Sequence, residues 1–285
     1  MNASRTPFRL FCLSSVALLA LAGTAAADGY EGYSAPPPPP VESGREFTYS
    51  FNLSGTSDYV FRGISQTDND PTMQGGIDFT YGMLYLGAWA SGVDFGGTVT
   101  PGDGFDAQVE IDYYGGITPT WNSPLGKMDI DLGVIYYTYP GATDFLAEYD
   151  YVEFKAGYSW SVLHPKLTTG ATVYYSPDYF ASTGSVWTIE SMAAVELPKT
   201  WVFDPVLNGV IGWQKGDASD GYFVNVNGND DEYYYWNAGL ALTVEKITFD
   251  FRYWDTNIGG DAGGLCANAR FCDERFVFTG TVALP

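Results

Sequence analysis

From residue 46 to its last position the chain repeats one unit: segments of about ten residues in which apolar and polar side chains alternate. Residues 128–138 show it. Met128, Ile130, Leu132, Val134 and Tyr136 fall on one face, and Asp129 and Asp131 fall on the other. A strand sends successive side chains to opposite faces, so this is a sheet with one greasy and one charged side. The turns between segments are alternately short and long. That rhythm predicts an all-β fold, a transmembrane antiparallel up-and-down β-barrel of about 12 strands.

The N-terminus reads as a secretory signal over residues 1–27. Arg5 and Arg9 precede a short apolar core, and Ala25-Ala26-Ala27 offers a cleavage site. Residues 28–45, with five consecutive prolines at 36–40, predict an extended periplasmic linker ahead of an outer-membrane barrel at 46–285. No later stretch approaches the roughly eighteen apolar residues of a spanning helix. Aromatic residues make up 17% and charged residues only 16%, a balance that suits the Trp and Tyr girdles of a barrel in a bilayer. The formal net charge of −21 excludes nucleic acid as a partner and favours cations over anions. Cys12 lies in the signal. Cys266 and Cys272, in an oxidising compartment, predict a small loop disulfide.

The expected strands cover residues 47–61, 74–81, a segment ending near 93, then 107–117, 128–138, 151–160, 167–175, 187–197, 206–214, 234–244, 247–253 and 275–284. In the first, Phe47, Tyr49, Phe51, Leu53, Tyr59 and Phe61 are read as one face. Even-numbered turns are short or carry Pro and Lys. Odd-numbered ones are longer and mostly acidic, at 65–71, 95–105, 216–232 and 257–274. Short periplasmic turns and long extracellular loops are the asymmetry of outer-membrane barrels, so both chain ends are expected in the periplasm of a Gram-negative bacterium.

The opening strand reads Ser57-Asp58-Tyr59-Val60-Phe61-Arg62-Gly63-Ile64-Ser65-Gln66 and continues Pro71-Thr72-Met73-Gln74-Gly75-Gly76-Ile77-Asp78. Together with Tyr253-Trp254-Asp255-Thr256 and Cys272-Asp273-Glu274-Arg275, it resembles the TorF porin family of proteobacteria. The resemblance covers the whole barrel and implies a channel-like outer-membrane protein without naming a substrate. Barrels of this kind end on an aromatic residue read by the barrel-assembly machinery. This chain ends Val282-Ala283-Leu284-Pro285, so either its terminus is atypical or insertion relies on Phe276 and Phe278.

The inward positions carry the candidate pore lining: Arg62, Asp78, Glu110, Asp112, Asp129, Asp131, Glu153, Lys155, Glu190, Asp250 and Arg252. Acids outnumber bases, which in a water-filled lumen favours cations. With so few bases, complete pairing is not expected, and isolated carboxylates need water. Asp58, Arg62 and Gln74 are expected to form a mouth cluster in which Asp58 holds Arg62. The lone histidine, His164, sits in a predicted periplasmic turn, so no Ser–His constellation is available and no enzyme is expected. The acidic run Asn229-Asp230-Asp231-Glu232 fails the calcium-loop template, the acidic loops read as a solvated surface, and neither a metal nor a cofactor is expected. The expected partners are outer-membrane lipid and small hydrophilic solutes or cations. The reading is a porin for passive diffusion. Its rival is a closed structural or adhesion barrel acting through its loops.

Overall fold

The computed structural model describes residues 47–95, 107–142, 148–162, 166–222, 224, 231–258, 266 and 269–284. The expected signal and linker, His164 and Pro285 lie outside the described residues.

Fifteen strands are present among the described residues: β1 (Phe47–Thr56), β2 (Val60–Phe61), β3 (Ile64–Ser65), β4 (Thr72–Tyr81), β5 (Leu84–Gly92), β6 (Val109–Ile117), β7 (Thr120–Ser123), β8 (Gly126–Thr138), β9 (Tyr151–Val162), β10 (Leu167–Ser176), β11 (Val186–Glu196), β12 (Asp204–Lys215), β13 (Glu232–Val244), β14 (Ile247–Thr256) and β15 (Arg275–Leu284). All but β2 and β3 join one antiparallel sheet, closed where β1 pairs with β15 and β6 pairs with β8. β6 and β7 act as one barrel strand. Pro119 interrupts them, yet the register on β8 runs through from Ile117↔Leu132 to Thr120↔Asp129. The Pro119 carbonyl still accepts from the Ile130 amide at 3.0 Å. Proline costs one donor, not the strand. The barrel therefore has twelve staves, and closure removes the sheet edges that would otherwise seek a partner.

The outer surface carries the greasy face. Leu53, Leu86, Ile211 and Phe251 are each more than half exposed along the middle of their strands. Trp201 (86% exposed) stands in a short turn, and Phe276 (83%) stands near the other end of β15. An apolar band this continuous is unstable in water, and aromatic residues at both of its margins match bilayer interfaces.

One expected strand is corrected. The first stave stops at Thr56 rather than near residue 61. Residues 57–66 turn inward instead, and Tyr59 (1% exposed) and Phe61 (9%) lie inside the barrel, not on its greasy face. β2 and β3 pair as a hairpin through Val60↔Ser65 and Phe61↔Ile64. At its tip Arg62 (φ 50°) and Gly63 (φ 85°) are both left-handed, as the tight turn of a two-residue hairpin requires. The alternation misleads because a hairpin strand shares the period of the stave it leaves.

Candidate functional site

Hydrogen-bonded register sorts the inward residues into rows around the wall. Nearest the short turns, one row on β8 to β12 reads Asp129, Ser159, Gly170, Met192, Val210. The next reads Asp131, Gly157, Thr172, Glu190, Gly212. One step further toward the long loops it becomes Gly133, Lys155, Tyr174, Thr188, Gln214. On β9, β10 and β12 a small residue gives way to a long one (Gly157 to Lys155, Thr172 to Tyr174, Gly212 to Gln214) within a single pleat repeat, about 6.8 Å. Below that step lies a cavity of about 320 Å³, reaching from Gly82 and Lys127 at the short-turn rim to Tyr174 and Glu190 at mid-height. Above it the lumen is packed.

The packing is tyrosine. Tyr59, Tyr137, Tyr151, Tyr174, Tyr179, Tyr222, Tyr233 and Tyr235 are buried in one cluster with Phe61 and Val60 from the inserted hairpin. Tyr137 stacks on Tyr151 with centroids 4.4 Å apart, and Tyr59 meets Trp89 edge-on at 5.4 Å. Glycines make room for the rings: a Cβ at Gly87 would collide with Tyr114, and one at Gly212 would collide with Tyr235. Gly63 at the hairpin tip is held as closely, against Thr256 and Tyr235.

Arg62 sits at the centre of this plug, 1% exposed. Its guanidinium grips Glu153 of β9 with two bonds of 2.8 and 2.7 Å, and it lies 4.6 Å from the Phe61 centroid and 4.9 Å from that of Tyr174. The Tyr233 hydroxyl donates to the Arg62 carbonyl at 3.1 Å. A guanidinium stays charged in any protein setting, and the bidentate carboxylate supplies what lost water would have given. The expected mouth cluster is therefore corrected. Asp58 does not hold Arg62; it accepts from Arg275 at 2.8 Å and from the hydroxyls of Ser65 and Thr67 at 2.7 and 2.8 Å. Gln74 is buried on β4, opposite Ser54 and Ser91 in register. Arg275 also donates to the carbonyls of Arg270, Phe271 and Asp273, so it ties the hairpin base to the loop closed by the Cys266–Cys272 disulfide. Phe271 and that disulfide pack on Ile64.

The other expected lining residues are inward, with partners that charge counting alone overlooks. Lys155 pairs with Asp131 and Lys127 pairs with Asp129, each at 2.8 Å. Arg252 binds Asp250 at 3.0 Å and reaches across two staves to Asn237 and Asn208. Tyrosine hydroxyls donate to five of the expected lining carboxylates, among them Tyr59 to Glu110, Tyr85 to Asp131, Tyr114 to Asp78, Tyr137 to Glu153 and Tyr235 to Glu190. Asp112 is wholly buried on β6. The expectation that scarce bases leave carboxylates to water fails for these five, because neutral phenols serve as donors. The signal was present. Once Tyr234 and Trp236 are read as outward, Tyr233 and Tyr235 must point in.

Residues 41–282 match the family described as a bacterial protein of unknown function (Gcw_chp), and the chain belongs to that family. No curated protein matches the sequence. Among solved structures, the NanC porin aligns over 82% of this chain and 99% of its own, with TM-score 0.51 and 9% identity. The outer membrane channel DcaP of Acinetobacter baumannii covers 84% of this chain and 97% of its own at TM-score 0.39 and 10% identity. OccK8 (OprE) of Pseudomonas aeruginosa covers 85% and 68% at TM-score 0.40 and 11% identity. At such identities the likeness to NanC speaks for the barrel fold alone.

Proposed function

We propose that this member of the Gcw_chp family is an outer-membrane channel of a Gram-negative bacterium, through which small hydrophilic solutes diffuse passively, cations more readily than anions. The observation that carries it is the closed twelve-stave barrel with an apolar outside and a charged, water-accessible cavity inside. Polar side chains on the inner face and lipid-compatible ones outside are what a pore requires and what a water-exposed sandwich does not. The TorF resemblance points the same way, and the partners this reading implies are outer-membrane lipid and the barrel-assembly machinery. The path is narrow, since the Arg62 hairpin stands across it.

Charge supports the cation preference. Asp58, Asp78, Glu110, Asp112, Asp129, Asp131, Glu153, Glu190 and Asp250 face Arg62, Lys127, Lys155, Arg252 and Arg275, nine acids to five bases among these named lumen residues. The proposed role is passage without catalysis, with selectivity set by width and field. The test is conductance of the refolded protein in a planar bilayer under a salt gradient. Discrete steps with a cation-selective reversal potential are expected. Arg62→Ala removes the central cation and is expected to enlarge the steps and strengthen cation selectivity. A folded, inserted barrel that never conducts, with or without Arg62, overturns the channel reading. It leaves the closed-barrel alternative, which the buried tyrosine layer favours.

A further inference from the structure

Four neighbouring strands place Asp131, Gly157, Thr172 and Glu190 in one lateral row of the short-turn half. Adjacent strands lie about 4.8 Å apart, so the two carboxylates bracket roughly 14 Å of wall. Between them the wall presents only a glycine and a threonine. A Cβ at Gly157 would collide with the Thr172 hydroxyl, so the glycine lets that hydroxyl lean across the floor between the two carboxylates. Tyr174 closes the recess above, and Met192 and Val210 give it an apolar side. Its volume of about 320 Å³ falls at the small end of small-molecule sites.

The two aspartates in this recess are already compensated, and in one repeated way. Asp131 accepts the Tyr85 hydroxyl on Oδ1 (2.7 Å) and the Lys155 ammonium on Oδ2 (2.8 Å). Asp129 accepts the Thr120 hydroxyl on Oδ1 and the Lys127 ammonium on Oδ2 (2.8 Å). Glu190 accepts the Tyr235 hydroxyl. A charged solute would have to compete with these pairs while losing its own water, an exchange that returns little. A hydroxyl faces no such conflict. It donates to the second lone pair of a carboxylate oxygen and accepts from an ammonium proton at the same time. The two aspartates project from β8 two residues apart, about 6.8 Å along the strand, with Lys127 on the same strand and Lys155 on neighbouring β9, a spacing that serves several hydroxyls and not one head group.

We propose that this recess binds a neutral polyhydroxylated solute of about monosaccharide size. Asp131 and Asp129 accept its hydroxyl protons, Lys155 and Lys127 donate to its oxygens, and the Tyr174 ring lies against its C–H face. The proposal rests on the reading of the lumen as a solute path, and it gives that path a substrate class.

The test is saturation-transfer NMR on the full refolded barrel in micelles, with glucose as probe and tetramethylammonium and gluconate as charged controls of similar bulk. Saturable transfer from the protein to glucose is expected, with neither ion displacing it. Asp131→Asn is expected to weaken it about tenfold, since a hydrogen bond to a charged acceptor is lost. Thr172→Val, which keeps the shape and the ion pairs, is expected to weaken it about threefold. No saturable glucose signal on a folded barrel overturns the site, as does tetramethylammonium or gluconate displacing glucose. Conductance of the same preparation judges the channel separately. A conducting barrel without glucose binding loses this site and keeps the channel. Glucose binding in a barrel that never conducts keeps the site and loses the channel.

Discussion

The long-loop and short-turn halves of the lumen are lined by the same staves and differ in what those staves point inward. Toward the short turns, Gly157 and Thr172 leave a recess between Asp131, paired with Lys155, and Glu190, met by the Tyr235 hydroxyl. Toward the long loops, Tyr174, Gln214, Tyr233 and an inserted hairpin fill the same cross-section. Polarity does not separate the halves, because buried Arg62, Glu153 and Asp112 lie in the packed half. Side-chain length does. A barrel of twelve staves stands between one that side chains can fill and one that must stay open, so the choice of glycine or tyrosine at a row decides which it becomes.

The largest expected effect tests the packed half. Glu153→Ala leaves the Arg62 guanidinium buried without its bidentate partner and should cost about 3–5 kcal/mol in unfolding by urea. It should also free the hairpin, so that conductance steps grow several-fold. An unchanged midpoint with unchanged steps breaks the division of the lumen into a sealed and an open half. Pairing it with Arg62→Ala should recover part of the loss, which a double-mutant cycle reads directly.

Tyr235→Phe is next. Its hydroxyl meets Glu190 where the two halves join, and its removal should cost about 1–3 kcal/mol while leaving the ring packed over Gly212. A neutral outcome in equilibrium unfolding means that water reaches Glu190, and the boundary between the halves moves upward. Lys127→Met acts on the rim, where the side chain is 36% exposed and its pair with Asp129 is solvated. It should change stability by less than about 1 kcal/mol, yet shift the reversal potential further toward cations. An equal stability loss at the rim and at Glu153 erases the comparison.

The smallest effect lies outside the barrel wall. Hydrogen bonds from the Ser219 hydroxyl and amide hold the Asp217 carboxyl below its ordinary range. A depressed carboxylate stabilises the fold above its unfolded pKa and loses that contribution as pH falls through the folded value. The turn at 217–221 should therefore loosen only under acid below the ordinary aspartate range, seen as a chemical-shift change at the Ser219 amide. A change centred near neutral pH contradicts that assignment.

Much of this protein was legible in the chain. The two-residue period locates every stave, the alternation of short and long turns orders them, and parity tells which side chains from Asp78 to Arg252 point inward. The inserted hairpin was misread, although Phe61-Arg62-Gly63-Ile64 carries its turn, because alternation does not say which sheet a strand joins. Partners were the harder loss. Arg62 and Glu153 lie 91 positions apart in sequence, and Asp58 and Arg275 lie 217 apart.

The period, the stave count and the face each side chain takes are written along the chain, since they follow from backbone geometry repeated locally. Which charges meet, that tyrosine hydroxyls stand in for missing bases, and where packing gives way to a cavity emerge only from the closed barrel. Those outcomes depend on height along the barrel and distance across it, which are set only when the first stave closes on the last.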